Sequence, residues 1–300
     1  MRVLLSGSTG FIGSELARRL RERGDVVVPI TRRSPDVGQV GVDLARGRLD
    51  TTRLPGGTLE GIGASVHLAG APIIARWTTR RQEAIRSSRI ALGDLIARSL
   101  TVLDSRPHVH VTGSAIGIYG DRGDEPLDES SPLGEGFLAD VCRAWEAAAK
   151  PASDSGIRTV AIRTGIVLGR GGALGPQLPL FKLGLGGRIG SGRQWVSWIS
   201  LEDEVRAILW AIDDPAASGP VNATAPEPVR NSDFTAALAR ALHRPAALTV
   251  PPAALRLALG RGPAAEMLLA SQKVLPARLT AAGFEHRHPT IDSALEAVVR

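Results

Sequence analysis

The chain has 300 residues, of which 43% are hydrophobic and 22% are charged, the balance of an ordinary soluble globular protein. This length allows one large domain or two modest ones with a well-formed core. The opening residues lack the apolar stretch of a signal peptide, and no run approaches the roughly 20 apolar residues of a membrane-spanning helix. We therefore expect a cytoplasmic protein with no membrane partner.

Charge and cysteine content exclude further classes of protein. The formal net charge is +6, but the basic residues are scattered and almost all are arginine, without the basic helix and stacking aromatics of a nucleic-acid-binding protein. Cys142 is the only cysteine, and the six histidines form no H-x-x-x-H pattern, so neither a disulfide framework nor a metal site is expected. We expect no nucleic-acid partner and interpret the basic excess as sites for anionic small molecules.

Short apolar runs alternate with stretches of helical periodicity in the first half of the chain. Between the first two runs, Ile12, Leu16 and Leu20 recur every fourth residue and Gly24 follows, which predicts a helix with a glycine stop. Two further helices are predicted at about 78–100 and 137–150. The alternation predicts an α/β fold of Rossmann type with a doubly wound parallel sheet. Its strands are expected at residues 2–6, 26–30, 66–69, 108–112 and 159–163.

A glycine-rich loop joins the first predicted strand to the first predicted helix. In this position glycines permit a tight turn and a close approach of the backbone to a diphosphate, which the helix N-terminus faces. A glycine turn with a purely structural role is the alternative. The residues expected to hold a dinucleotide are Gly7, Ser8, Thr9, Gly10, Phe11, Ile12 and Gly13.

The end of the second strand indicates which dinucleotide is bound. An NAD-selective site usually presents an acidic residue there to the ribose 2′-hydroxyl, whereas this chain has Thr31, Arg32 and Arg33. A guanidinium favours the 2′-phosphate of NADP, so NADP(H) is the expected cofactor. The alternative is that these arginines are only solvated charges on a surface loop. Further along, Asp43 is either an adenine contact or a turn carboxylate.

The composition changes after residue 165, where the chain becomes dense in glycine and proline, as in a long functional loop or a domain junction. We place a boundary there, so that residues 1–165 form the NADP-binding domain and residues 166–300 a smaller substrate-binding portion. Helices are predicted at about 202–213, 231–243 and 252–259. A short strand near 221–224 is a candidate to return to the first sheet.

Further motifs follow the later strands, at His67-Leu68-Ala69-Gly70 and Val111-Thr112-Gly113-Ser114. With the glycine-rich loop, they resemble the extended short-chain dehydrogenase/reductases. More narrowly, nearly the whole chain resembles the atypical "epimerase family proteins", which are related to nucleotide-sugar epimerases and dehydratases. That likeness is carried by Arg76-Trp77-Thr78, Ser88-Arg89-Ile90, Tyr119-Gly120-Asp121, Trp145-Glu146, Gly184-Leu185-Gly186-Gly187, Gly190-Ser191-Gly192, Ser271-Gln272-Lys273-Val274-Leu275-Pro276 and Ala282-Gly283-Phe284.

The resemblance implies a doubly wound NADP-binding fold with a smaller C-terminal substrate-binding portion. It implies kinship with the epimerases and not a particular reaction. It also adds residues to the expected cofactor contacts, namely Leu68, Ala69, Gly70, Glu83, Arg89 and Ser114.

In the superfamily a serine acts with a Y-x-x-x-K pair, whose tyrosine transfers a proton while the lysine lowers the tyrosine pKa and holds the ribose. Ser114 matches the serine. Aligning Glu146 with the acidic residue that follows the lysine by four places puts Cys142 at the lysine position and Leu138 at the tyrosine position. Leucine cannot transfer a proton, and a neutral thiol supplies no positive field. The resemblance therefore predicts that the usual pair is missing.

Ser114, Tyr119 and Cys142 remain as candidates for catalysis. Tyr119, the sole tyrosine, is either a proton donor or a packing or substrate-contact residue. Cys142 is either a nucleophile or a small buried hydrophobe. The resemblance also implies a substrate pocket, with core packing as the alternative for its tryptophans, and the residues it places there are Trp77, Tyr119, Arg193 and Trp195.

Two hypotheses of function follow. The first is an NADP(H)-dependent oxidoreductase or epimerase-like enzyme that acts on a small polar or nucleotide-linked substrate held between the two portions. The second is a non-catalytic NADP(H)-binding sensor or regulatory protein, which the replacements at Leu138 and Cys142 favour. A serine hydrolase is excluded, because Ser114 does not stand on a G-x-S-x-G elbow.

Overall fold

The computed structural model describes residues 1–32 and 34–299. Its strands, in chain order, are β1 (Arg2–Ser6), β2 (Val26–Thr31), β3 (Val40–Asp43), β4 (Arg48–Asp50), β5 (Ala64–His67), β6 (Val109–Ala115), β7 (Pro126–Leu127), β8 (Arg158–Thr164), β9 (Ile166–Leu168), β10 (Gly187–Ile189), β11 (Trp195–Val196), β12 (Trp198–Ser200), β13 (Gly219–Ala223), β14 (Val229–Arg230), β15 (Leu248–Val250) and β16 (Lys273–Val274).

The helices follow the predicted periodicity in most of the chain. Short 3₁₀ turns cover Pro55–Gly57 and Ile116–Tyr119, and a π-helical turn covers Ala264–Leu269. In the described residues, no helix is both long enough and apolar enough to cross a membrane. The α-helices are α1 (Phe11–Glu22), α2 (Thr79–Thr101), α3 (Phe137–Ala147), α4 (Lys150–Asp154), α5 (Leu178–Lys182), α6 (Leu201–Asp213), α7 (Asn231–Leu242), α8 (Pro252–Leu259), α9 (Arg261–Pro263), α10 (Ala277–Ala281) and α11 (Ile291–Val299).

The central sheet has eight strands in the order β13-β8-β6-β5-β1-β2-β3-β4. Neighbouring strands run parallel except at one edge, where β3 and β4 pair antiparallel. The chain enters at β1 in the middle, winds outward through β2 and β3, and then returns to build the other half from β5. This is the doubly wound topology of a Rossmann fold, so the predicted fold class is confirmed.

Helices cover both faces of this sheet, as a buried parallel sheet requires. On one face Leu16 of α1 and Ile208 of α6 join Val3 and Leu5 in one core cluster. On the other face Leu4 lies in a second cluster with Ile96 of α2. Residues of β1 alternate between the two clusters because successive strand side chains point to opposite faces.

The segment after residue 165 contributes to both parts of the molecule. It supplies α6 and β13, and β13 pairs parallel with β8 at the edge of the central sheet. Small two-stranded pairs, β10 with β15 and β11 with β14, lie outside that sheet. A third core cluster holds this C-terminal lobe together, around Phe181, Trp198, Phe234, Leu238 and Leu295. The segment after residue 165 therefore completes one edge of the central sheet and also forms a core of its own.

Helix α6 carries a buried carboxyl group, that of Glu204. Glu204 of α6 is 0% exposed, and Thr164 at the end of β8 donates a hydrogen bond of 2.7 Å to its Oε1. Its Oε2 has no hydrogen-bond partner in the described part of the chain. Burial raises the pKa of Glu204 to about 8, since a carboxylate loses its hydration there. The side chain is consequently neutral in the folded protein at pH 7.

We expect Glu204 to make the protein less stable as the pH rises from about 4.5 to about 8. Below this window both states are protonated, and within it the unfolded chain releases a proton that the folded chain retains. At pH 7 this difference in proton binding lowers the free energy of unfolding by about 3 kcal/mol. Urea unfolding between pH 5 and 8 should show that Glu204→Gln gains stability over the natural protein as the pH rises. Glu202→Gln, on the same helix, is the control, and a constant difference between Glu204→Gln and the natural protein would contradict the prediction.

Candidate functional site

The glycine-rich loop turns tightly between β1 and α1. Gly7 has φ +76°, and a Cβ there would lie 2.8 Å from the backbone of Ala69 and Leu68. A Cβ at Gly13 would lie 2.1 Å from the carbonyl oxygen of Gly7. Both glycines are therefore required by contacts within the protein itself, where no larger residue fits.

The start of α1 is open to a ligand. Its N-cap, Gly10, is exposed and forms no side-chain capping bond, and the first turn contains no acidic residue. The first amides of a helix have no acceptor within the helix and attract anions. Ser8 is partly exposed and Thr9 is exposed, so this surface of the loop faces away from the core. The arrangement fits the diphosphate of a dinucleotide.

Phe11 and Ile12 face the protein, where both pack against the first core cluster. The ring of Phe11 also lies against three glycines of the segment after β9, where a Cβ at Gly169 would be 2.6 Å from the ring. Their backbone amides, and not their side chains, are thus the groups available to a cofactor.

The end of β2 is exposed. Thr31 ends this strand, and the exposed Arg32 forms no ion pair with another described residue. Arg33, the third residue expected here, lies outside the described residues. Asp43, at the end of β3, accepts a hydrogen bond of 3.0 Å from the backbone amide of Arg46, which is the geometry of the turn carboxylate that was the alternative to an adenine contact.

Arg89 of α2 lies beside the end of β5. Its backbone carbonyl is 3.0 Å from Nε2 of His67, and its guanidinium is 5.0 Å from the ring of Trp145. Gly70 gives this guanidinium room, because a Cβ there would lie 2.7 Å from the Arg89 Cζ. Glu83, on the same helix, is exposed.

A hydrogen-bonded chain of buried side chains begins at Ser114, at the end of β6. The Ser114 hydroxyl donates to Oε1 of Glu146 at 2.7 Å. Arg163 donates to both oxygens of the same carboxylate, at 2.8 and 3.0 Å, and its Nη1 donates to the Tyr119 hydroxyl at 2.9 Å. That hydroxyl donates to Oδ1 of Asn222 at 2.7 Å.

The structure thus brings Ser114 and Tyr119 into one network, in which both side chains are buried. The Tyr119 ring packs with Ile118 and Leu127. Burial raises the pKa of Tyr119. Tyr119 therefore lies in a packing environment.

Cys142 lies on α3 in the same apolar cluster as Tyr119. Burial, with the nearby Glu146 carboxylate, raises the pKa of the Cys142 thiol to about 11, so the thiol is protonated at neutral pH. Leu138, one turn earlier, donates its backbone amide to Oε2 of Glu266 at 2.8 Å. Glu266 belongs to the π-helical turn and caps α3, whose own N-cap is the glycine at position 136.

The residues expected in the substrate pocket separate into three places, of which the buried network around Tyr119 is one. Arg193 lines a cavity of about 440 Å³ together with Asp121, Asp124, Arg230 and Ser271. Trp195 contacts two of these lining residues, because the Arg230 guanidinium lies 4.0 Å from its ring and its Nε1 donates to the Asp124 carboxylate at 3.0 Å.

Trp77 lies elsewhere. Its ring centroid is 4.8 Å from that of Phe137, and a Cβ at Gly262 would lie 3.2 Å from it. Trp77 therefore contacts the start of α3 and the segment after α8.

Residues 3–223 match the model of the NAD dependent epimerase/dehydratase family. The chain belongs to this family. Residues 250–298 match a second model, a domain of unknown function named DUF1731. The second match covers the C-terminal segment that includes Glu266.

Similar members of the epimerase family occur in bacteria and animals. An epimerase family protein of Mycobacterium tuberculosis, MT2273, is 43% identical over 296 residues, covering 98% of this chain and 96% of that protein. A solved structure of the human epimerase family protein SDR39U1 with NADPH is 34% identical, has a TM-score of 0.90 and covers 99% of both chains. A solved structure of a nucleoside-diphosphate sugar epimerase of Corynebacterium glutamicum is 34% identical and has a TM-score of 0.81, and the match covers 58% of the Corynebacterium chain. The resemblance inferred from the motifs is confirmed.

Sequence reasoning about this epimerase-family protein did not identify the ion pair behind Ser114. Glu146 had served only to align the helix, and Arg163 had been part of an apolar run. One signal was present, because a charged residue within a buried strand is uncommon unless it is paired. Arg163 is 4% exposed and has that partner.

Proposed function

We propose that this epimerase-family protein binds NADP(H) at the turn between β1 and α1. The observation that carries the proposal is the open N-terminus of α1 behind a loop whose glycines at positions 7 and 13 permit no side chain. The amides of Phe11 and Ile12 would hold the diphosphate. The bound cofactor would supply hydride chemistry, and the protein would supply the orientation and the electrostatic environment. The NADPH in the similar human structure supports this choice of cofactor.

The preference for NADP(H) over NAD(H) is proposed to come from Arg32. Replacing it with alanine should weaken NADPH binding about ten- to a hundredfold and leave NADH binding nearly unchanged, since one charge-assisted hydrogen bond contributes about 1.5–3 kcal/mol. Calorimetric titration of both cofactors measures the effect. Arg21→Ala, which removes an exposed charge from α1, is the control. An unchanged preference in Arg32→Ala would contradict the proposal.

The proposed substrate is a small polar or nucleotide-linked molecule that binds in the cavity beside Trp195. We do not propose a nucleic acid as a partner. Arg193 lines that cavity and forms no ion pair with another described residue, whereas Arg230 is paired with Asp124 at 2.7 Å. A guanidinium without an acidic partner favours an anionic group on the substrate. We propose a carboxylate or a phosphate as that group.

For proton transfer, Ser114 is the proposed candidate. Its hydroxyl donates a hydrogen bond to Glu146, and this carboxylate would accept the proton. Tyr119 is proposed to hold Arg163 in position, because its hydroxyl already has two protein partners. Cys142 is proposed to pack, because its thiol is protonated and lies in an apolar cluster. A free buried cysteine is also compatible with a reducing compartment such as the cytoplasm.

The alternative is a non-catalytic NADP(H)-binding sensor. The observation that favours it is that α3 carries leucine at position 138 and cysteine at position 142, on successive turns. An NADPH-oxidation assay over a panel of metabolites separates the two functions. Turnover of any member supports the enzyme, and tight binding without turnover supports the sensor.

A further inference from the structure

Exposed leucines lie close together on the turn that follows α5. Leu180, Leu183 and Leu185 are 51%, 72% and 54% exposed, and the backbone amide of Leu185 donates to the carbonyl of Leu180 at 2.9 Å. Beside them, a Cβ at Gly184 would lie 3.5 Å from the ring of Pro245. Single apolar side chains are ordinary on a protein surface, whereas a contiguous group of large ones indicates a contact site.

Strand β15 extends this apolar group. Leu248 is 50% exposed and pairs with Gly187 of β10, where a Cβ would lie only 2.9 Å from the Cβ of Leu248. The turn after α5 and the segment that leads into β15 therefore form one surface. We call it the leucine surface, and it consists of Leu180, Leu183, Leu185, Pro245 and Leu248.

Two unpaired cations border the leucine surface. The Nε of Arg244 donates to the backbone carbonyl of Lys182 at 3.0 Å, and both side chains are exposed. Neither forms an ion pair with another residue in the ranges 1–32 and 34–299. The nearby Arg240 differs, because Asp292 of α11 pairs with it at 2.6 Å. The positive charge of Lys182 and Arg244 is thus available to a partner.

The distribution of acidic residues shows the same bias over a longer stretch of chain. Residues 155–201 and 234–265, which meet where β10 pairs with β15, contain ten of the 36 lysines and arginines and none of the 30 acidic residues. The rest of the chain therefore has more acidic than basic residues. Surfaces built from these two segments attract an anionic partner and repel a second copy of themselves.

A groove of about 680 Å³ opens beside the leucine surface. Its apolar lining comes from Pro245 and three alanines, and its basic lining from Arg240, His243 and Arg244. Apolar and basic side chains in one groove suit the two parts of an anionic phospholipid, because the acyl chain is apolar and the headgroup phosphate accepts hydrogen bonds from a guanidinium.

We propose that the leucine surface docks this protein on an anionic phospholipid bilayer. The leucines enter the boundary between headgroups and acyl chains, and Lys182 and Arg244 contact the phosphates. Apolar insertion and a basic patch act together in peripheral membrane proteins, since either alone holds a protein only weakly. Contact of this kind needs no membrane-spanning helix, whereas the expectation of no membrane partner rested on the lack of a spanning segment. The inference is independent of the proposed binding of NADP(H).

The test is cosedimentation of the full chain with two kinds of vesicle. One kind is pure phosphatidylcholine, and the other contains about one third phosphatidylserine. The protein should bind the vesicles with phosphatidylserine and not the neutral ones, because a negative surface potential attracts basic residues. Raising the salt from about 0.05 to 0.5 M should release it, since ions screen this attraction.

Variants then locate the contact. Lys182→Gln with Arg244→Gln should weaken binding about 25-fold, because each basic residue near an anionic surface contributes about fivefold. Leu183→Ser should weaken it about tenfold through the loss of apolar burial. The matched controls are Arg21→Gln with Arg53→Gln, which removes two exposed charges elsewhere, and Val102→Ser, which removes an 80% exposed apolar side chain. Both should bind as the natural protein does, and thermal unfolding should show that every variant is folded.

The other outcomes would overturn the proposal. Equal binding to both kinds of vesicle would show that the positive charge plays no part. Vesicle binding that survives in the Lys182 and Arg244 variant would place the contact elsewhere on the molecule. Absence of binding to either vesicle at low salt would exclude a bilayer as the occupant, and light scattering that shows a dimer sensitive to Leu183→Ser would identify a second copy instead. None of these results bears on NADPH affinity, which the surface variants should leave unchanged.

Discussion

Replacing Gly10 with valine should abolish NADPH binding in a protein that still folds. Gly10 has φ −77° and ψ 172°, an extended conformation that valine adopts readily. A Cβ there meets only the Gly7 carbonyl oxygen, at 3.2 Å, a contact that a shift of a few tenths of an ångström relieves. The added methyl groups would stand at the exposed entrance to α1, where the diphosphate is proposed to approach the backbone.

Gly10 separates ligand binding from folding better than its neighbours. At Gly7 and Gly13 a Cβ would collide with backbone at 2.8 and 2.1 Å, so loss of binding in those variants would only report a damaged loop. Calorimetry with NADPH measures the effect at Gly10, and thermal unfolding shows whether the fold is intact. Gly10→Ala should give an intermediate affinity. A folded Gly10→Val protein that binds NADPH normally would show that the diphosphate site is elsewhere.

The elements of the central fold could be predicted because their signals are local in the chain. The alternation of Val3, Leu4 and Leu5 between two core clusters follows from strand geometry alone. The helix predicted as 137–150 is the informative exception, because the structure ends α3 at Ala147 and begins α4 at Lys150. The proline at position 151 is favourable in the first turn of a new helix and costly inside a continuing one. That breaker was visible in the sequence.

The surroundings of the candidate site could not be predicted, because they join distant segments. Tyr119 receives its partners from Arg163 and Asn222, which lie 44 and 103 residues away. Without these contacts, the sequence leaves both proton transfer and packing or substrate contact open for its hydroxyl. Glu266 reaches the amide of Leu138 across 128 residues. No periodicity or local motif relates such positions.

The expected substrate residues illustrate the same limit. Trp77 and Trp195 were grouped by their order along a resembling chain, yet they contact different parts of the molecule. Trp77 packs on Phe137 at the start of α3, whereas Trp195 lies between Arg230 and Lys273, with their charged groups 4.0 and 4.8 Å from its ring. Order along the chain does not specify which side chains meet, since that depends on how the C-terminal lobe folds back.

We expect slow turnover, or none, with ordinary carbonyl substrates of the superfamily, because the alignment on Glu146 puts Leu138 and Cys142 at the positions of the usual tyrosine and lysine. General acid–base assistance typically contributes about 10²–10⁴-fold to a rate. The thiol of Cys142, with its pKa raised to about 11 by burial, is neither a base nor a cation at neutral pH. An NADPH-oxidation assay with ketones, aldehydes and nucleotide sugars measures the deficit directly, and brisk turnover would contradict the prediction.

Variants then identify the side chain that is responsible for any activity that is found. Ser114→Ala should remove most of it, because this hydroxyl alone among the three candidates has a carboxylate acceptor, Glu146. Tyr119→Phe should act mainly on stability, since it leaves Nη1 of Arg163 and Oδ1 of Asn222 without the hydrogen bond that each forms with the tyrosine hydroxyl, at a cost of about 1–3 kcal/mol. Unfolding measurements distinguish that cost from a catalytic one. Activity that collapses in Cys142→Ala would identify the cysteine as catalytic. Collapse in Tyr119→Phe at unchanged stability would make the tyrosine the proton donor, because only its hydroxyl would have been lost.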